Sequence, residues 1–200
     1  MTDDVLSPID SETEDFAQQI ADQVESFLLA LREIAREADG GRAISLLLLE
    51  VSQVLLAGAR LGAQTDFTPE EEYQPDVGPD LDLDELRLRL ASIFDNVDTY
   101  SFVFDPYAPE EIESQLSDDL TSMAADLGNG LRHFRAGNVE EALWWWQFSY
   151  VSSWGNLGGA VLNALLSIIA HDRLDSDLTL DDDQVAAANE MLDAEDPTPR

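Results

Sequence analysis

Apolar residues recur at spacings of three and four over most of this chain, and that period predicts helices. Phe16, Ile20, Val24, Phe27, Leu28, Leu31 and Ile34 form one stripe. It begins after Ser11 and Glu14, a capping-box pair, and ends near the breaker Asp39-Gly40-Gly41. Ile44, Leu47, Leu48, Val51, Val54, Leu55 and Leu61 form a second stripe, from about Arg42 to Gly62. Together they predict an antiparallel helical hairpin over 11–62. Residues 63–81 change character. Pro69, Pro75 and Pro79, with Glu70-Glu71-Glu72, read as a loop.

The pattern resumes at Asp82, a candidate cap for a third helix from Leu83 to about Asp95, with Leu83, Leu86, Leu90 and Ile93 inward. The segment Tyr100-Ser101-Phe102-Val103-Phe104-Asp105-Pro106-Tyr107 has strand-like residues but no obvious pairing partner, so it reads as an extended packing segment. Pro109 with Glu110 and Glu111 predicts the start of a fourth helix, striped by Ile112, Leu116, Leu120, Met123 and Leu127 and loosened at Gly128 and Gly130. After the turn Ala136-Gly137-Asn138, Asn138 and Glu141 predict the cap of a fifth helix. A sixth is expected from Ser152 or Ser153 to His171.

The expected fold is therefore all-α: a single-domain bundle of about six helices over 11–172, made of the hairpin 11–62, the loop 63–81 and a four-helix part 82–172. Residues 1–10 and 173–200 are expected as acidic flexible tails. The second tail holds one possible short helix, Asp181 to Leu192, and ends Pro197-Thr198-Pro199-Arg200. At 200 residues and 44% hydrophobic, the chain suits one such domain with a real core.

Periodicity poses one conflict. All four tryptophans fall in Trp144-Trp145-Trp146-Gln147-Phe148-Ser149-Tyr150-Val151-Ser152-Ser153-Trp154. Trp144, Trp146, Phe148 and Tyr150 alternate as in a strand, but the cap at Asn138 and the flanking helices favour a helix. Successive helical residues turn by about 100°, so three adjacent indoles exceed the apolar stripe of a surface helix. Each buries up to about 150–250 Å², about 4–6 kcal/mol as an upper bound. Either the helix is the central spoke of the bundle, or part of its aromatic surface meets a partner or ligand. Trp144 and Phe148 share one face, Trp146 and Tyr150 another, and Trp145 with Ser149 and Ser152 a third. The first two faces suit the core, and Trp145 is expected to look outward. The candidate interaction or pocket residues are Trp145, Trp146, Gln147, Ser149, Tyr150, Trp154 and Asn156, with Gln147, Ser149 and Asn156 as polar groups that would orient a ligand.

Composition narrows the partner. Forty-two Asp and Glu stand against ten basic residues, all Arg, for a net charge of −32. That opposes nucleic acid, whose phosphates are held by Lys and Arg, and it opposes an anionic membrane. The acids are spread along the chain, which reads as a solvated surface. An acidic mimic that binds a basic partner is the sharper alternative. Arg without Lys also points to a GC-rich genome. Cysteine is absent, so disulfides and thiolate chemistry are too. Met1-Thr2-Asp3-Asp4 lacks the apolar run of a secretory leader. The two most apolar runs, Ile44–Ala57 and Leu157–Ala170, fall short of the roughly 20 residues of a bilayer span. A cytoplasmic location is expected.

No nucleophile motif, phosphate loop, dinucleotide fingerprint, calcium loop or Glu-x-x-His pair is present. His133 and His171 lie near predicted helix C-termini, where the dipole favours the charged form. Neither a metal nor a cofactor is expected. Gly137–Trp146 loosely resembles one helix of a tetratricopeptide unit, but a single copy makes no array.

The pattern Trp144-x-Trp146-x-Phe148-x-Tyr150 followed by Trp154-Gly155, with Tyr100-x-x-x-Phe104-Asp105-Pro106-Tyr107 and the acidic helix upstream, resembles domain of unknown function 5063, an uncharacterised actinobacterial family. The resemblance covers roughly residues 15–172. It implies an all-helical fold and no activity, and it carries over no catalytic residue. The leading reading is a non-enzymatic domain that contacts a protein partner through its Trp-rich helix; the alternatives are a regulator that binds a small ligand in an aromatic pocket and an acidic mimic that binds a basic partner, and an enzyme has no residue-level support.

Overall fold

A computed structural model describes residues 11–36, 40–69 and 77–194, with side chains described as far as Leu174. The expected tail 1–10, residue Asp39, and Glu70-Glu71-Glu72 with Pro75 of the loop lie outside the described residues. So does the end Pro197–Arg200.

The hairpin forms as the period requires. Helix α1 spans Ser11–Ile34 and α2 spans Gly40–Gly62. Ile20, Val24, Phe27 and Leu31 of α1 and Leu47, Val51, Val54 and Leu61 of α2 are buried in one core. Helix α3, Asp84–Phe94, adds Leu86, Leu90 and Phe94. Asp82 Oδ1 accepts from the Asp84 N–H at 3.3 Å, close to the expected cap.

The expectation for 99–115 is corrected. Thr99–Val103 forms strand β1, and it has a partner: Glu111–Gln115 forms β2, antiparallel, with Phe102 opposite Ile112 and Tyr100 opposite Ser114. The fold is mostly helical, broadly as the all-α expectation has it, with a small two-stranded sheet added. A turn closed by Ala108 N–H to Asp105 C=O joins the strands, and Asp105 Oδ1 accepts from the Tyr107 N–H.

Helix α4 therefore starts at Leu116 and runs to Arg135, not from Pro109. The reason is a cap supplied from a distance. Asp98 is buried, its backbone C=O accepts from Leu116 N–H at 2.8 Å, and its carboxylate accepts from Ser117 N–H at 2.9 Å and Ser117 Oγ at 2.7 Å. These bonds satisfy donors at the first turn of α4. The local signal at Pro109 lost to a residue 19 positions upstream of the helix's second residue. Ile112, expected in the α4 stripe, sits 41% exposed on β2. Gly128 and Gly130 do not loosen α4, which passes through both. They admit neighbours instead: a methyl on Gly128 would strike Leu81, and one on Gly130 would strike the Trp146 indole. Helix α4 touches α1, α3 and β2 as well as the two helices that follow it, so it, and not the tryptophan helix, is the hub.

Helix α5, Val139–Ser149, follows Asn138, whose side chain makes no capping bond. A π-helical turn, Tyr150–Trp154, then leads without a break into α6, Gly155–Ala194. The last two helices thus form one rod, leaving five separate α-helical bodies among the described residues. The helix expected to stop at His171 continues to Ala194 and absorbs the short helix expected at 181–192. No Gly or Pro interrupts residues 160–196, so nothing local ends it. By length and composition, the stretches Gly41–Gly62 and Val139–Leu174 are apolar enough to cross a bilayer. The shorter runs inside them understated that. In the fold, both stretches contribute buried residues to the shared core, among them Val51, Trp146, Val161 and Leu165.

Candidate functional site

The π turn decides which aromatic residues point where. A π turn acts as one residue inserted into an α-helix, so positions after it fall back by one in helical phase. Trp154 then lies seven effective positions from Trp146, on the same face. Both are fully buried. The Trp146 Nε1–H donates to Leu127 C=O at 2.9 Å, and the ring lies 6.1 Å from that of Phe134. The Trp154 Nε1–H points to Trp146 C=O at 3.4 Å, and its ring lies 4.8 Å from half-buried Tyr150. Gly58 faces both rings and has no room for a methyl.

The same count builds an outward stripe: Trp144, Phe148, Val151, then Asn156, Gly159, Asn163 and Leu166. Of these only Trp144 is part-buried and the rest are exposed. Phe148 is 54% exposed and stacks on Trp144 at 5.2 Å, with the rings 5° from parallel. Val151 is 67% exposed. This corrects the expected assignment of faces. Trp144 with Phe148 is the outward pair. Trp145 is half-buried, its Nε1–H donates to Asp126 C=O at 3.0 Å, and its ring lies 6.4 Å from His133.

Two of the polar residues expected to orient a ligand have structural work. Gln147 is buried; its Nε2 donates to Leu61 C=O at 3.0 Å and its Oε1 accepts from Phe67 N–H at 2.9 Å. It clamps the chain leaving α2. Ser149 is buried and donates to Trp145 C=O at 2.6 Å. Asn156 is different: it is exposed and lines an open groove of about 410 Å³. One bank is Ser101–Phe104 of β1 and its turn; the other is Gly155, Asn156, Gly159, Ala160 and Asn163 of α6. Sequence reasoning missed the β1 bank because it gave that segment no partner. Another groove of about 510 Å³ lies between Ser11–Gln19 and Phe67. No tryptophan lines either groove.

Buried polar groups lie at both ends of α4. At its start the Tyr100 hydroxyl donates to Asp119 at 2.6 Å and Ser114 Oγ donates to the same carboxylate at 2.9 Å. Burial pushes the Asp119 carboxyl above its usual range, the two hydrogen bonds oppose this, and Asp118 and Asp98 reinforce it. Burial, then Asp119 itself, pushes the Tyr100 phenol far up, so it is no base. Burial also raises Asp126, against a hydrogen bond from Ser153. At the other end His133 is buried, and burial lowers its pKa, with Arg132 adding and Glu141 opposing. This reverses the expected charged His at a helix end. Its Nδ1 has no hydrogen-bond partner among the described residues. Among the described residues no three His, Asp or Glu side chains converge on a metal position.

No match exists among the curated proteins. A solved structure, protein BF1032 from Bacteroides fragilis, has a similar fold: TM-score 0.60 at 18% identity, covering 76% of this chain and 90% of that one. At that identity the likeness concerns the fold alone. The model of a family described as a domain of unknown function, DUF5063, matches residues 11–171, and the chain belongs to that family.

Proposed function

We propose that this protein is a non-enzymatic interaction domain, acting in the cytoplasm of an actinobacterial host, which contacts a protein partner through the outward stripe of the α5–α6 rod. One observation carries the reading: Phe148 and Val151, 54% and 67% exposed, stand side by side where α5 passes into the π turn, with Trp144 stacked behind Phe148. Neighbouring apolar side chains left in water are the mark of an association surface, and aromatic residues are enriched where proteins meet. The net charge of −32 directs the domain away from nucleic acid and anionic membranes. It needs no metal or cofactor. Against the aromatic-pocket alternative stand Trp146 and Trp154, packed into the core, and Gln147, bonded to the end of α2.

The test is site-specific photo-crosslinking in the native host from position 148 or 151, with position 88 as control. Leu88 is an equally exposed leucine elsewhere, at 61%. Expected is one discrete adduct from 148 and 151 that is missing from 88. The same diffuse products from all three positions remove the stripe as a contact surface.

A further inference from the structure

The outward stripe leads from Phe148 into the groove beside β1, and the groove has features that the aromatic pair lacks. Among the described residues, strand β1 pairs only with β2 in its two-stranded sheet. Its other edge therefore offers backbone N–H and C=O groups to an added strand. Three consecutive residues of β1, Ser101 to Val103, line the groove together with Phe104 of the turn, as a strand edge does and a strand face does not. The facing bank is low. A methyl on Gly159 would meet nothing within 4 Å. Asn156 and Asn163 stand seven residues apart on α6, about 10 Å along the axis, the length of about three extended residues. Each side-chain amide both donates and accepts, which suits peptide backbone without choosing its side chains.

Charge selects the occupant. β1 and its turn belong to the stretch between Arg89 and Arg132, which contains no basic residue. The α6 bank belongs to the stretch between Arg135 and Arg173, whose one cationisable group is His171. On the open face of the hairpin, exposed Glu111 and Glu113 stand opposite Val103 and Ser101, and Asp105 and Glu110 are exposed in the connecting turn. Val103 and Phe104 are themselves 51% and 39% exposed and can cover apolar side chains.

We propose that an extended, basic segment of a partner polypeptide adds to the free edge of β1, lying in the groove between that strand and Asn156, Gly159 and Asn163. Its backbone bonds to β1, the two asparagine amides hold its far side, and its Arg or Lys side chains meet the acids of the hairpin. This rests on the interaction reading above and gives the partner its chemistry.

The experiment measures fluorescence anisotropy of the full chain with a labelled decapeptide of alternating Arg and Val at physiological ionic strength. Two further decapeptides carry backbone N-methyl groups on one or the other set of alternate residues, keeping the charge and removing the N–H groups. The parent peptide is expected to bind. One N-methylated version is expected to lose about ten-fold or more, the worth of one or two hydrogen bonds. Gly159→Leu, which fills the groove from a position with room for it, is expected to abolish binding, and Leu88→Ser, outside the groove lining, to leave it unchanged. Equal binding of all three peptides, or unchanged binding to Gly159→Leu, overturns the proposal. No binding of the parent peptide overturns it too. Discrete crosslinks from position 148 that persist in Gly159→Leu would then show that the interaction reading stands without it.

Discussion

Trp146 and Phe148 are two residues apart on one helix and have opposite fates. Trp146 is fully buried, hydrogen-bonded to Leu127 and seated over Gly130; Phe148 is 54% exposed and stacks on the Trp144 ring. Similar chemistry sits in both places, so composition does not separate them. The difference lies in what faces each. The inner side meets glycines, Gly130 beneath Trp146 and Gly58 beneath Trp154, which let an indole approach a backbone. The outer side meets solvent and, beyond the π turn, a groove. One side of the rod holds the fold together and the other faces solvent.

The sharpest break in that comparison is Trp146→Ala. Loss of the buried ring should cost about 3–5 kcal/mol in urea unfolding, and a loss under about 1 kcal/mol would show that the core does not depend on it. Next comes a pair of glycines. Gly130→Ala pushes a methyl into the Trp146 indole and should cost about 1–3 kcal/mol. Gly159→Ala, in open space within a helix, should raise stability by about 0.5–1 kcal/mol. Equal effects from the two would deny that the rod has a packed side and an open side.

A third prediction uses pH. The His133 pKa is lowered by burial from 6.5, so the unfolded chain takes the proton first as pH falls. Its neutral form therefore stabilises the fold above about pH 6.5, and that contribution is lost as pH falls toward the folded pKa. Asp119 runs the other way: its raised pKa gives stability that is full below 3.8 and lost as pH rises. Replacing His133 by Leu should flatten the fall in urea midpoint between pH 7 and pH 5, and an unchanged slope would assign that fall elsewhere. The smallest expected effect is Phe148→Ser. It should shift stability by no more than about 0.5 kcal/mol and still remove the crosslinked partner expected at the outward stripe.

Legibility in the sequence followed distance along the chain. The hairpin α1–α2 was legible, because a stripe at three and four residues and a glycine break are local signals. The start of α4 was not, because Asp98 caps it from the far side of the β hairpin. Strand β2 hid behind Glu110 and Glu111, which read as a helix start; Ile112 is its one large apolar residue. At the candidate site, the concentration of tryptophan was plain, but its faces were assigned on an unbroken α-helix. The inserted residue of the π turn rotated everything after Tyr150, placing Trp154 beneath Trp146 and Asn156 on the stripe of Phe148 and Val151.

Sequence alone determined the helical periods, the acidity, the absence of cysteine and the crowding of aromatic residues into one segment, since each is a property of composition or of neighbours within a few positions. Tertiary structure decided which of those aromatics became core and which became surface, where α4 begins, and that β1 pairs with β2. Those outcomes depend on groups far apart in the chain: Gly130 under Trp146, Gln147 clamping Phe67, Asp98 capping Ser117. Burial is a relation between such groups, and a helical stripe states only which residues can share a face.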